Sequence, residues 1–443
     1  MHTISDIEKI QREFGVYTLL NKEMEQALRA WESVRVGRPL WINKTEETTN
    51  FGRTIGKEIA RLSLQDAEIT ATGSARAKYI NALLQQQKNQ VRQALEDGAC
   101  LGMMVAKPSL NGTDYVMPTE ILITEINSIG EIVGAIFFDY SRVGKKYYTR
   151  LEYHRFDDDI YRVSSRAYVS ERAGELGKKC PLESVASWAN IQPEIGIRNI
   201  ERPLFAVFKM PAANPYSRAY GFSCYGDALK QLEDLDTSYS MMIREIEDSG
   251  KITFVPTGAF PENAKRPYKP PRFVLEAEFG FEDHTTFHEH NPALQTPVRL
   301  TGKQSIIEDI SFLCGFSKGY FTGEKTANAM TATQAEMIDK RVTEMIEDVR
   351  GALKLFYEQL IYAYSKYADL YNLAPSGEVQ VQYYFKDLQT TFEQDRARAY
   401  QLVLQGIIPK WHYLVEYEGY SEQEAKRMVQ EAEDIRQGFS FET

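Results

Sequence analysis

Between Ser217 and Leu373 two long amphipathic patterns flank a segment that no helix can cross, and this order constrains the fold more than any other feature of the chain. The first pattern runs from about Ser223 to Asp248, with Ala228, Leu232, Leu235, Tyr239, Met242 and Ile246 at alternating steps of three and four. Such spacing lays one apolar stripe along a helix. Ser223 is the expected N-cap and Gly250 the expected stop. The second pattern runs from about Thr331 to Tyr371, where Ile338, Val342, Met345, Val349, Ala352, Phe356, Leu360, Ala363 and Tyr367 hold the stripe. At roughly 1.5 Å per residue this helix spans about 60 Å. Thr331 with Gln334, and Thr333 with Glu336, each fit a capping box. Gly351 inside it costs about 1 kcal/mol relative to Ala and is the expected kink. Periodicity alone fits ordinary core helices equally well.

Residues 251 to 300 hold seven of the seventeen prolines: Pro256, Pro261, Pro267, Pro270, Pro271, Pro292 and Pro297. A helix does not continue through them. The runs ITFV at 252 to 255 and RFVLEAEF at 272 to 279 read as short strands, so the segment is expected to be a small β-containing insert. Lys265, Arg266, Lys269 and Arg272 give it a basic edge. A shorter helix comes next, about Lys303 to Cys314, and then GFSKGYFTGEKTANAMT, where Gly315, Gly319 and Gly323 interrupt any periodicity and mark a loop.

The flanking regions divide by pattern. Residues 1 to about 100 carry helical stripes at Ile7 to Phe14, Glu23 to Val34, Ile55 to Leu62 and Tyr79 to Leu95. From about Leu101 to Met210 alternating runs such as EIVGAIFFDYS, KKYYTRLEYHRF and IYRVSSRAYVS predict an antiparallel meander. Asp157, Asp158 and Asp159 sit between two of these runs, where a solvated turn is a better account than a cation site. After Pro375 a last strand, VQVQYYF, precedes helices near Thr391 to Gln405 and Ser421 to Gln437. The fold class is therefore α+β.

With 62 acidic against 52 basic residues the net charge is −10. Sequence-specific DNA binding draws its affinity from phosphate neutralisation, and this balance argues against it. Cys100, Cys180, Cys224 and Cys314 are scattered with no CxxC spacing, which argues against a zinc ribbon or a disulfide framework and for a reducing cytoplasm. No apolar run is long enough to cross a bilayer, and the start MHTISDIEKIQREFG has no signal-peptide pattern. The expected protein is neither secreted nor membrane-embedded.

Three constellations bear on chemistry. Gly319 to Thr326 is glycine-rich and ends in Lys325 and Thr326, but Glu324 separates Gly323 from Lys325, so the backbone wrap of a P-loop is not available. His284, His288 and His290, half of the six histidines, suit a transition metal in residue type, yet their spacing matches no hydrolase motif and polar surface residues are the simpler account. No GxSxG elbow nominates a nucleophile. No catalytic residue, metal or cofactor is therefore expected. Lys318, Tyr320, Phe321 and Lys325 interleave aromatic and basic groups as nucleic-acid-facing loops do; a loop packed on a neighbouring helix explains them as well.

The order of a stalk helix, a β-containing insert, a returning helix, a loop and a very long helix, after a β-rich region and before terminal helices, resembles the portal proteins of tailed bacteriophages. YGFSCYGDALKQLEDLDTSYSMMIREIEDSGK at 220 to 251 and TATQAEMIDKRVTEMIEDVRGALKLFYEQL at 331 to 360 are similar to those of siphoviruses of Gram-positive hosts. The resemblance implies a phage portal fold with long stem and wing helices, a β-rich wing and a small clip. Residues 1 to 222 would be N-terminal helices and wing, 223 to 249 the first stem helix, and 250 to 302 the clip. Residues 303 to 315 would be the second stem helix, 316 to 330 the tunnel loop, 331 to 391 the long wing helix and returning strand, and 392 to 443 the crown.

The resemblance also implies a structural, catalytically silent ring of about twelve copies. It would sit at one capsid vertex of the virion, after assembly in the host cytoplasm, as the channel for double-stranded DNA packaging and ejection. Its partners would be the terminase large subunit, scaffold and major capsid protein, a head-completion adaptor, and DNA without sequence preference. Lys318, Tyr320, Phe321 and Lys325 would face DNA, and Lys265, Arg266, Lys269 and Arg272 would dock partners. At −10 per copy such a ring carries on the order of −120, which favours sliding over binding. The alternatives are a metal-dependent enzyme using His284, His288 and His290, or another phage assembly protein.

Overall fold

The computed structural model describes residues 4–43, 47–109, 112–248, 252–256, 274–277, 288–290, 295–322, 332–386, 399–405 and 408–439. Three helices open the chain: α1 (Ile4–Phe14), α2 (Lys22–Arg35) and α3 (Phe51–Ser63). Asn21 caps α2 by accepting from the Met24 amide at 2.8 Å. Next comes a strand that the sequence pattern does not announce, β1 (Glu68–Thr72). The single stripe expected over Tyr79 to Leu95 is two helices, α4 (Ala75–Gln86) and α5 (Lys88–Leu101), which meet at Gln87. Gln87 is itself buried and accepts from the Tyr115 hydroxyl at 2.9 Å.

The expected β region contains β2 (Met103–Ser109), β3 (Gly112–Val116), β4 (Ile121–Ile126), β5 (Ile132–Val143), β6 (Lys146–Asp157) and β7 (Ile160–Ser170). It closes with β8 (Lys178–Cys180), β9 (Glu194–Arg198) and β10 (Ala206–Lys209). The order β4-β5-β6-β7-β8 is the predicted antiparallel meander, with β9 also on β7, and β10-β2-β3 form a second sheet. The aspartate run makes the β6–β7 turn: Asp158 takes φ 51°, and Asp157 accepts from Arg162 Nε at 2.7 Å.

Strand alternation gives the larger sheet two different faces. Leu151 and Tyr153 of β6 join Ile136, Phe138 and Tyr168 in an apolar cluster closed by Ile10 of α1. The alternate positions Arg150, Glu152 and His154 point the other way and are also buried. Glu152 accepts from Arg150 at 2.6 Å, from Lys107 of β2 at 2.8 Å, and pairs with His154 Nε2 at 2.7 Å. Three donors around one carboxylate offset the cost of burying it.

Helix α6 (Leu229–Asp248) begins six residues after the expected cap. A 3-10 turn over Gly226–Ala228 precedes it, and Ser223 Oγ accepts locally from the Tyr225 amide at 3.3 Å, so Ser223 is not its N-cap. Gly250 lies outside the described residues. Strands β11 (Ile252–Pro256), β12 (Val274–Ala277) and β13 (His288–His290) form a sheet with β11 central, parallel to β12 and antiparallel to β13. The returning helix α7 (Thr296–Leu313) starts earlier than Lys303. Pro297 belongs to this helix and not to the insert; it occupies the first turn of α7, where a missing N–H has no helical partner to lose.

Helices α6 and α7 pack together through the Glu245–Arg299 ion pair and Lys303 over the Tyr239 ring at 5.0 Å. Leu232, Leu235 and Ile310 are buried, whereas Met241, Ile246, Val298 and Phe312 are exposed.

Helix α8 (Ala332–Leu370) runs 39 residues, close to the expected bounds. Val342, Val349, Phe356, Leu360 and Ala363 of the predicted stripe are buried. The capping residues Thr331, Thr333, Gln334 and Glu336 lie outside the described side chains. The helix continues through Gly351, where an added Cβ meets nothing within 4 Å. Strand β14 (Gln380–Tyr384) then pairs antiparallel with β1.

Two buried arginines hold α8 in place. Arg350 donates to the carbonyls of Leu62 and Ser63 at the end of α3. Arg76 donates to the carbonyls of Ser365 and Ala374 at 2.5 and 2.6 Å and pairs with Asp369 at 2.7 Å. Arg350 thereby satisfies terminal carbonyls that a helix leaves without partners, whereas Arg76 ties the last turns of α8 to the chain that follows it.

Residues 1–385 form one compact unit and 386–443 a second. In the second, 399–404 are helical, and an unexpected helix α9 (Lys410–Glu418) precedes α10 (Glu422–Phe439). Ser421 and Glu424 form a capping box at the start of α10, and Lys426 lies over the Trp411 ring at 4.5 Å. Among the described residues no helix is long and apolar enough to cross a membrane.

Candidate functional site

The candidate loop starts at a helix end of defined chemistry. Gly315 takes φ +86°, its amide donates to Phe312, and the Phe316 amide donates to Ser311 at 2.8 Å. This 6→1 and 5→2 pair is the Schellman arrangement, and the left-handed position is the reason for glycine. Gly319, at φ +84°, makes the next turn, closed by the Tyr320 amide on the Ser317 carbonyl at 3.2 Å.

Those turns bring three aromatic rings together, two of which reach α3. Phe316 is fully buried, with Phe321 at 4.9 Å and Tyr320 at 4.9 Å. Phe321 meets Phe51 of α3 edge-on at 5.1 Å and 76°. The Tyr320 hydroxyl donates to Glu58, which Arg61 holds through two hydrogen bonds of 2.7 and 2.8 Å. Arg61 keeps the Glu58 carboxyl below its ordinary value against the opposing effect of burial. Burial, with the bond to Glu58, pushes Tyr320 up to about 12, so it remains a donor.

The expected DNA-facing set is therefore split. Tyr320 and Phe321 fasten the start of the loop to α3, as the packed-loop alternative expects, and Tyr320 keeps part of its ring exposed. Lys318 does reach water: its side chain is 61% exposed, and its nearest carboxylate is Asp309 at 4.0 Å. Lys325 and the basic residues Lys265, Arg266, Lys269 and Arg272 lie outside the described residues. So does His284, while His288 and His290 are described only as backbone of β13, paired with Phe254 and Ile252.

Beside the anchor runs a row that sequence reasoning passed over. Arg53, Lys57 and Arg61 recur every four residues on the exposed side of α3. Among the described residues Arg53 and Lys57 have no ion-pair partner. One helical turn separates successive members, about 6 Å along the axis. The i, i+4 spacing in FGRTIGKEIAR is the signal that could have revealed the row.

Three of the cysteines, Cys100, Cys224 and Cys314, also converge despite their scatter. All four are free thiols. Burial pushes the Cys224 thiol well up, reinforced by its hydrogen bond with Cys100 and the nearby Cys314. Among the described residues no group of three or more potential ligands is placed to hold a metal.

Compared with known proteins, the chain matches no family model and no curated sequence.

Proposed function

We propose that this chain is a portal-type subunit, one copy of a ring that forms the channel for double-stranded DNA at a capsid vertex. The observation that carries the assignment is the succession of α6, the small sheet, α7, the anchored turn and the 39-residue α8 in one chain. In this assignment α6 and α7 are the stem, β11 to β13 belong to the clip, and Lys318 with the row on α3 is available for transient phosphate contact. The proposed crown, 392–443, falls within the second unit, 386–443.

The exposed apolar side chains of α6 and α7 support assembly. Met241, Ile246, Val298 and Phe312 are about half or more exposed on one helix pair, a pattern that neighbouring copies would cover. The ring would act structurally, and terminase, scaffold, capsid and head-completion proteins would be its partners. Mass photometry with negative-stain electron microscopy tests the assignment: it requires rings of about twelve copies with an open centre. Chains that stay single or paired even with scaffold and capsid protein would overturn it.

A further inference from the structure

A cavity of about 240 Å³ lies between β10, the turn that joins β4 to β5, and helix α8. Strand alternation turns Val207 and Lys209 of β10 to the same side as Phe205 just before it, and all three line the cavity. Steps of three and four put Ala352, Leu355 and Gln359 on the facing side of α8. The walls are largely apolar: Phe205 is buried, whereas Leu355 and Ile129 are exposed.

The polar groups of this cavity are mostly donors. The half-buried Lys209 reaches only the carbonyls of Gly130 at 3.2 Å and Arg218 at 3.4 Å, and among the described residues no carboxylate pairs with it. An ammonium carries three N–H groups, so one is left over. Burial alone pulls its pKa down to about 8, the mark of a cation that no anion compensates, and Lys209 is still mostly charged at pH 7. Gln359 accepts from the Val207 amide at 2.8 Å through Oε1, which fixes the side chain and leaves its own N–H groups without a partner among the described residues.

The exposed Arg202 guanidinium likewise has no partner among the described residues. Against these donors stands one carboxylate, Glu131, which holds Asn127 at 2.8 Å. Lys209 and Arg202 against Glu131 leave the lining with one positive charge in excess. A carboxylate offers two oxygens to such donors, and hydrogen bonds between ionised groups are the strong ones. A bare inorganic anion would leave the apolar walls unused, whereas a short hydrocarbon stem covers Val207 and Leu355. The volume, just under the range of drug-sized sites, suits a small ligand.

We propose that this cavity binds a small aliphatic carboxylate, its oxygens at Lys209 and Gln359 and its stem along Val207 and Leu355. The site is independent of the channel assignment. Ligand-observed NMR titration of the full chain with hexanoate at pH 7 and low ionic strength tests it, with hexanamide as the uncharged counterpart. The variants are Lys209→Met, Gln359→Glu, which keeps the acceptor for Val207 but replaces the free donors, and Lys354→Met, which removes an exposed cation of α8 outside the cavity. Saturable binding of hexanoate is expected, at least tenfold weaker for hexanamide, for Lys209→Met and for Gln359→Glu, and unchanged in Lys354→Met. No binding by wild type, equal binding of hexanamide, wild-type affinity in Lys209→Met or Gln359→Glu, or equal weakening in Lys354→Met overturns the proposal.

Discussion

Arg350 donates through Nη2 to the carbonyl of Leu62 at 3.2 Å, tying the middle of α8 to the last turn of α3. The arginine is 1% exposed, and Glu347 at 2.8 Å is its counter-ion. Replacing Arg350 with Met removes the donors and leaves buried carbonyls without partners. The loss should be about 3 kcal/mol of unfolding free energy. Urea denaturation of the two proteins measures it, and a difference below about 1 kcal/mol would show that α8 is held mainly by its apolar stripe.

Two glycine-to-alanine changes should act in opposite directions. Gly315 is left-handed, and a Cβ there comes within 3.0 Å of Met345, so Gly315→Ala should cost about 1–2 kcal/mol. Gly351 is helical and open, so Gly351→Ala should add up to about 1 kcal/mol. Thermal melts separate them. A lower melting temperature for Gly351→Ala would support the kink expected there.

The Tyr320–Glu58–Arg61 group makes the loop anchor sensitive to pH at both ends. Glu58 has a lowered folded pKa, so its contribution is present above the ordinary value of 4.5 and is lost as pH falls through the folded value. Tyr320 is raised to about 12; its contribution is present below 10 and is lost as pH rises toward that value. The stability gap between wild type and Glu58→Gln should therefore be constant from pH 6 to 8, as read in urea, and shrink in acid. A gap that widens in acid would contradict the ion pair.

Much of this architecture is legible in the chain. The stripe from Val342 to Tyr367 and the alternation of the meander survive because each element buries one continuous face. What misleads is context. Pro297 reads as a helix breaker but sits where a helix tolerates proline. Arg150, Glu152 and His154 alternate as a solvent face does, yet the covering strand β2 supplies Lys107 and buries them. Strand β1 is hidden because its partner, β14, lies about 300 residues away. Of the loop residues, Tyr320 and Phe321 stand out by their chemistry; only the fold shows that α3 consumes it.

If the row on α3 meets DNA, reversing its charge should impair packaging without touching the fold. The double change Arg53→Glu with Lys57→Glu is predicted to leave ring mass and melting temperature unchanged and to lower packaged DNA severalfold in an in vitro reaction. Undiminished packaging would remove α3 from the channel surface.

Assembly is the most direct test of the central claim. Mass photometry of the purified full chain, with images of the same sample, should find a particle near twelve times 50.8 kDa, about 600 kDa, with an open centre wide enough for duplex DNA. Only single or paired chains without a channel, at every concentration and with scaffold and capsid protein present, would contradict the channel assignment.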